Sequence, residues 1–146
     1  MTLGTSEAAF WAKMRKGFER IKPLGSPIVM NRIESPGTGR GVPDVFLADP
    51  EYGACWIELK VVKHRKVNIS PPQVHWLTQH ATYGIRTRIV ALILRDDSRI
   101  VRVWNGYGAE AVRLRGLAVG GPVPDINLSD KDAWPMVREA LFFDVS

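Results

Sequence analysis

Asp44, Glu58 and Lys60 are the residues of this chain whose types and spacing suit chemistry. Glu58 and Lys60 stand two apart in an otherwise apolar run, Ala54 to Val62, and Asp44 lies near the start of another, Val42 to Ala48. Asp49-Pro50-Glu51-Tyr52-Gly53 separates the runs. Its turn composition makes them adjacent strands joined by a tight connection. Side chains alternate between the faces of a strand, so Glu58 and Lys60 share one face while Ile57, Leu59 and Val61 take the other. Asp44 is on the side of Phe46 and Ala48, and beside Glu58 if the strands are neighbours. A carboxylate and an ammonium in an apolar strand are costly to bury unless paired or bound to a metal. With the strands adjacent, two carboxylates and a lysine would converge on one small patch.

The elements needed to hold that patch are legible on both sides of it. Residues 5 to 21 read as a helix capped by Thr5 or Ser6, with Phe10, Trp11, Met14, Phe18 and Ile21 at helical spacing. Lys13, Lys16 and Arg20 form another face, which is solvated or meets phosphate. Glu7, on the side of Trp11, Met14 and Phe18, is either a first-turn acid favoured by the helix dipole or an edge residue of the patch. Pro23 to Pro27 break the chain, and Ile28 to Glu34 form a first strand. The loop with Gly37, Gly39 and Gly41 is no phosphate-binding P-loop, because no Gly-Lys-Ser/Thr follows and the next element is a strand. Its glycines allow close approach to a nucleic-acid backbone, with Arg40 on a phosphate, or serve turn geometry alone.

Downstream, Lys63, Arg65 and Lys66 cluster beside the patch, either as a solvated loop or as phosphate contacts. His64 reads as a loop residue, since no second histidine stands at ligand spacing. Ser70-Pro71-Pro72-Gln73 opens a helix with a cap, proline in the first turn and glutamine at the capping-box position. Val74, Leu77, Thr78 and Ala81 give its core stripe, and Gly84 ends it. Trp76 lies off that stripe and reads as packing or as support for a partner or a nucleotide. Arg88 to Arg95 is a buried central strand, turned by Asp96-Asp97-Ser98 into Ile100 to Trp104. Val112-Arg113-Leu114 is expected as a short strand in the glycine-rich segment 105 to 128. A last helix, about 130 to 143, starts at Asp130 or Asp132, with Trp134, Val137 and Leu141 on its core face.

Pro43-Asp44, a spacer, then Glu58-Leu59-Lys60 resembles the PD-(D/E)XK nuclease signature. The wider pattern, with Glu7 upstream and Gln73 downstream, is most similar to the VRR-NUC and phage Holliday-junction-resolvase branches and covers residues 5 to 95. The resemblance implies an α/β fold: a mixed central sheet flanked by helices, with the active site at one edge. It implies a catalytic set of Glu7, Asp44, Glu58, Lys60 and Gln73. Asp44, Glu58 and the backbone carbonyl of Leu59 offer hard oxygen ligands for Mg²⁺, or Mn²⁺ in its place. Arg40, Lys63, Arg65 and Lys66 would meet the nucleic acid. The function so implied is structure-selective hydrolysis of phosphodiesters in DNA, of a phage type, with a homodimer required to cut a symmetric junction twice.

Composition agrees with this reading without demanding it. The 146 residues are 45% apolar and 24% charged, as in ordinary globular proteins, and read as one domain with a core at about 5–104. A net charge of +5 and a pI near 9.7 suit an anionic partner. Cys55 is the sole cysteine, which excludes an intrachain disulfide and reads as a small buried hydrophobe. No signal peptide, long apolar run or organic-cofactor motif is visible, so the expected location is the cytoplasm, that of the host for a phage-encoded protein. The rival readings are a non-catalytic DNA-binding module on the same fold, a nonspecific or end-directed nuclease, and a structural domain in which Glu58 and Lys60 merely pair.

Overall fold

The computed structural model describes residues 6–33 and 41–144; Arg40, Gly37, Gly39, Glu34 and Thr5 lie outside them. Helix α1 (Glu7–Glu19) is followed by strands β1 (Val29–Arg32), β2 (Val45–Asp49) and β3 (Gly53–Val62), helix α2 (Pro71–Thr82), then β4 (Thr87–Leu94) and β5 (Arg99–Asn105). Helix α3 (Ala109–Arg115), the two-residue strand β6 (Ile126–Asn127) and helix α4 (Ala133–Leu141) complete the order. The strands form one six-stranded sheet in sequence order. Among the described residues only β3 and β4 pair in parallel, joined by the α2 crossover, and every other pair is antiparallel.

Each face of the sheet has its own core. One face packs Val45, Leu47, Cys55, Ile57, Leu59, Val90 and Leu92 against Phe10, Met14 and Phe18 of α1 and Val137 and Leu141 of α4. The other packs Ile89, Ala91 and Ile93 against Val74 and Leu77 of α2 and Ala109 and Val112 of α3. Strand β4, carrying apolar side chains to both faces, is the central strand that its uninterrupted hydrophobic run anticipates. In β3 the alternation leaves Glu58 and Lys60 on the α2 face, opposite Ile89 and Ala91 of β4.

Local signals explain most element boundaries. Ser6 caps α1, its hydroxyl accepting from the Ala9 N–H. Gly17 interrupts the interior of that helix because the Trp134 ring lies against it, so a Cβ there would collide with the indole. Cys55 is fully buried, and burial pushes its thiol up to about 12, as befits an inert core residue. No helix among the described residues is long and apolar enough to cross a membrane.

Two expectations need correction. Val112-Arg113-Leu114 is part of helix α3, not a strand. Ala109 and Val112, three apart, bury one helical face, and Gly116 at a φ of +57° ends the helix. Asp49, expected in the turn between the strands, is instead the last residue of β2, where it is buried and holds Arg138 of α4. Arg138 donates to its two carboxylate oxygens at 2.7 and 3.0 Å and to Glu51 at 2.7 Å. Burial alone would raise the Asp49 carboxyl, but the Arg138 guanidinium and the Glu51 and Tyr52 N–H groups that donate to it together outweigh burial and hold the group below its usual range.

Candidate active site

Asp44 immediately precedes β2, where its main-chain carbonyl accepts from the Ile33 N–H at 2.7 Å. Val45 faces Ile57 across the β2–β3 ladder, and continuing that antiparallel register by one residue sets Asp44 opposite Glu58. The Asp44 side chain bridges the same gap, Oδ2 accepting from the Leu59 N–H at 2.9 Å. A strand residue turns its N–H and C=O toward the same neighbour, so the Leu59 carbonyl lies on the Asp44 side as well.

Glu58 is only 1% exposed and Lys60 7%. Lys60 Nζ stands 3.3 Å from Glu58 Oε2. The other carboxylate oxygen, Glu58 Oε1, is buried and has no hydrogen-bond partner among the described residues. Burial, reinforced by the nearby Asp44 carboxylate and only partly offset by Lys60, pushes the Glu58 carboxyl up to about 9. A buried group held neutral in this way binds a proton until something more favourable replaces it.

Gln73 ties the patch to α2. Its Oε1 accepts from the Ser70 N–H at 3.0 Å, and the Ser70 hydroxyl accepts from the Gln73 N–H at 3.3 Å, a complete capping box. The same Oε1 accepts from Lys60 Nζ at 3.1 Å, while Nε2 donates to Glu58 Oε2 at 3.0 Å. Two donors on one side and a carboxyl on the other fix the amide orientation. Capping and site-building are therefore not alternatives for this residue. Gly41, at a φ of +85°, brings the chain entering β2 against the start of α2, where a Cβ would collide with the Pro72 carbonyl.

Glu7 stands at the rim. The residue as a whole is exposed, yet its carboxyl is raised by partial loss of solvent, countered by the charge of Lys60, reinforced by Asp44 and eased by Arg32. The charges of Lys60 and Asp44 are thus felt at the first turn of α1. Lys63, Arg65 and Lys66 are exposed on the loop that leaves β3. The loop backbone is braced by the turn after α3, where the Leu117 N–H donates to the Arg65 carbonyl at 2.9 Å.

The donor set suits a hard divalent cation. An orphaned buried carboxylate oxygen, a second carboxylate beside it and an adjacent strand carbonyl are the ligand types such ions take. Among the described residues no three His, Cys, Asp or Glu side chains gather at metal-holding distance, so a carbonyl and solvent would complete any such shell. A cleft of about 610 Å³, lined by Ile126, Met136, Phe142 and Phe143 among others, contains none of these groups.

Sequence reasoning gave no role to three residues, two on the site's own face and one remote from it. Phe46 and Trp56 are register partners on the site's own face, legible as the positions two residues from Asp44 and Glu58. Arg138 had no such signal, because nothing in sequence couples it to Asp49 across 89 positions.

The sheet and its flanking helices form a mixed α/β fold that is shared with a solved structure. It is similar to Hjc of Archaeoglobus fulgidus, described as a Holliday junction resolvase from an archaeal hyperthermophile. The likeness has a TM-score of 0.52 at 17% identity, over 94% of this chain and 98% of that one. No protein-family model and no curated protein matches the sequence.

Proposed function

We propose that this chain is a metal-dependent DNA endonuclease that selects branched substrates, with Asp44, Glu58, Lys60 and Gln73 as its working group. The observation that carries the reading is the buried Glu58 Oε1, without a hydrogen-bond partner among the described residues, beside Asp44 and with a lysine on the same strand face. The resolvase-like fold supports it. Asp44, Glu58 and the Leu59 carbonyl would hold Mg²⁺ or Mn²⁺, which when bound would supply Lewis acidity toward the scissile phosphate.

The chain's own residues carry the remaining tasks. Lys60 Nζ, held by Gln73, orients the attacking water and offsets charge that develops on the phosphate oxygens. Gln73 sets the Lys60–Glu58 spacing by bonding to both. Glu7 adds a carboxylate at the rim for the outer solvent shell of the ion. Arg40, Lys63, Arg65 and Lys66 neutralise flanking phosphates. Water attacks directly, so no covalent intermediate with the protein forms.

A symmetric four-way junction has two scissile strands, and the proposal therefore includes a homodimer with two sites. The phage-type assignment and the VRR-NUC-like pattern around Asp44 and Glu58 belong to the same reading. A second reading, DNA binding without cleavage, draws on the 3.3 Å Lys60–Glu58 pair, which occupies both groups with each other.

The test is a panel of linear, flapped and four-way DNAs incubated with Mg²⁺, with Mn²⁺ and with EDTA. Metal-dependent cleavage that favours branched substrates and is lost in Asp44→Asn is the expected result. Binding in Ca²⁺ with no cleavage in any active metal would replace this function by the second reading.

A further inference from the structure

Each of the three elements that build the carboxylate–lysine–glutamine group also places an aromatic ring one same-face step away. Phe46 follows Asp44 by two residues, Trp56 precedes Glu58 by two, and Trp76 follows Gln73 by three on α2. The Phe46 and Trp56 rings lie 4.8 Å apart, and those of Trp56 and Trp76 5.4 Å apart. Two residues along a strand cover about 6.6–6.8 Å, a step on the scale of one nucleotide. The aromatic cluster is thus continuous with the site and adjoins it at nucleotide spacing.

These rings are not ordinary core. All three are partly exposed, and Phe46 and Trp56 belong to neither apolar core. Helix α2 lies mainly over β4, which leaves the β2 side of this face less covered. The rings meet at 58° and 63°, so they do not use up one another's faces as a parallel stack would. Trp76 is held in place by His80, whose ring stacks on it at 3.5 Å and 12° while its Nδ1 sits 2.7 Å from the Trp76 carbonyl oxygen.

We propose that Phe46, Trp56 and Trp76 form a stacking platform for one unpaired nucleobase next to the scissile phosphate. The inference rests on the nuclease reading and deepens it. A paired base inside a duplex shows only its edges in the grooves, whereas an unstacked base offers a ring face. Aromatic side chains take such faces with little regard to sequence. The platform therefore selects DNA in which a base has left the stack, at a flap, a junction or a frayed end, and it selects by structure and not by sequence.

The test uses the full chain with Ca²⁺ and a flapped duplex carrying 2-aminopurine, either unpaired beside the branch or paired within the arm. Stacking on the platform is expected to quench the unpaired probe and leave the paired one unchanged. In parallel, the ratio of kcat/KM for flapped over fully paired DNA is measured with Mg²⁺. That ratio should fall on the order of ten-fold in Trp56→Leu and Phe46→Leu, and recover in Trp56→Phe, which keeps a ring face. Should the leucine variants fail to fold in thermal melts, the probe titration of the wild-type protein decides. Cleavage without quenching of the unpaired probe, or with an unchanged ratio in folded variants, overturns the platform and leaves the nuclease reading intact. Absence of any cleavage by the wild-type protein, with quenching present, overturns the nuclease reading and leaves the platform.

Discussion

The Gln73 side chain donates to Glu58 Oε2 at 3.0 Å with the same amide that caps helix α2. Helix start and candidate site are thereby one hydrogen-bonded unit, and a change in either is felt by the other.

Gln73→Ala should therefore have two separable effects. Loss of the cap costs about 1 kcal/mol of stability, read from chemical denaturation. Loss of the bonds to Lys60 and Glu58 should lower single-turnover cleavage on the order of 10²-fold, a positioning effect. A destabilised protein that cleaves at the normal rate would confine Gln73 to capping.

Charge removal at the centre should distinguish ligands from the lysine. Asp44→Asn and Glu58→Gln should each weaken Mn²⁺ binding and abolish cleavage without unfolding the chain. Lys60→Met should leave Mn²⁺ binding intact or tighter while hydrolysis falls steeply. Calorimetric titration beside cleavage assays reads both. If Asp44 and Glu58 serve only as partners of basic groups, their replacement would instead destabilise by roughly 3–5 kcal/mol.

The Glu58 carboxyl predicts a pH signature of the metal-free protein. Folding raises it to about 9 from an ordinary value of 4.5, so between those limits the folded state binds more protons than the unfolded one. Stability from this group is complete below 4.5, declines as pH rises and is gone above about 9. In EDTA the Tm should fall between pH 6 and 9, and Glu58→Gln should flatten that slope. A divalent ion selects the carboxylate, so Mn²⁺ affinity should rise over the same window with proton release.

The basic loop is tested by salt. Reversing Lys63, Arg65 and Lys66 should weaken binding to all DNA sequences and make its salt dependence shallower. Each lost phosphate contact lowers the slope of log K against log salt by about 0.9 on duplex DNA. An unchanged slope would remove this loop from the interface.

Away from the site, Arg138→Ala should be among the most damaging single changes. It strands the Asp49 carboxylate, whose side chain is fully buried, and should cost roughly 3–5 kcal/mol in urea denaturation. The part of the population that remains folded should retain the geometry of Asp44 and Glu58, which belong to a different cluster.

Much of the local architecture follows from sequence alone, because local rules govern it. The period-two alternation of Ala54 to Val62 obliges Glu58 and Lys60 to share a face, and the tight turn before it makes β2 its antiparallel neighbour. The Ser70–Gln73 spacing determines a capping box irrespective of its surroundings. Helix α3 escaped because its segment is glycine-rich, and the burial that selects its face comes from α2 and β5. Only tertiary structure decided how these pieces meet. The α2 crossover brings Gln73 over β3, α1 swings Glu7 to the rim, and the apolar β4 beside Glu58 removes its solvent. A carboxyl's charge state depends on that desolvation, which no spacing encodes. The arginine that neutralises Asp49 likewise arrives from α4, late in the chain, once the sheet has brought its two ends together.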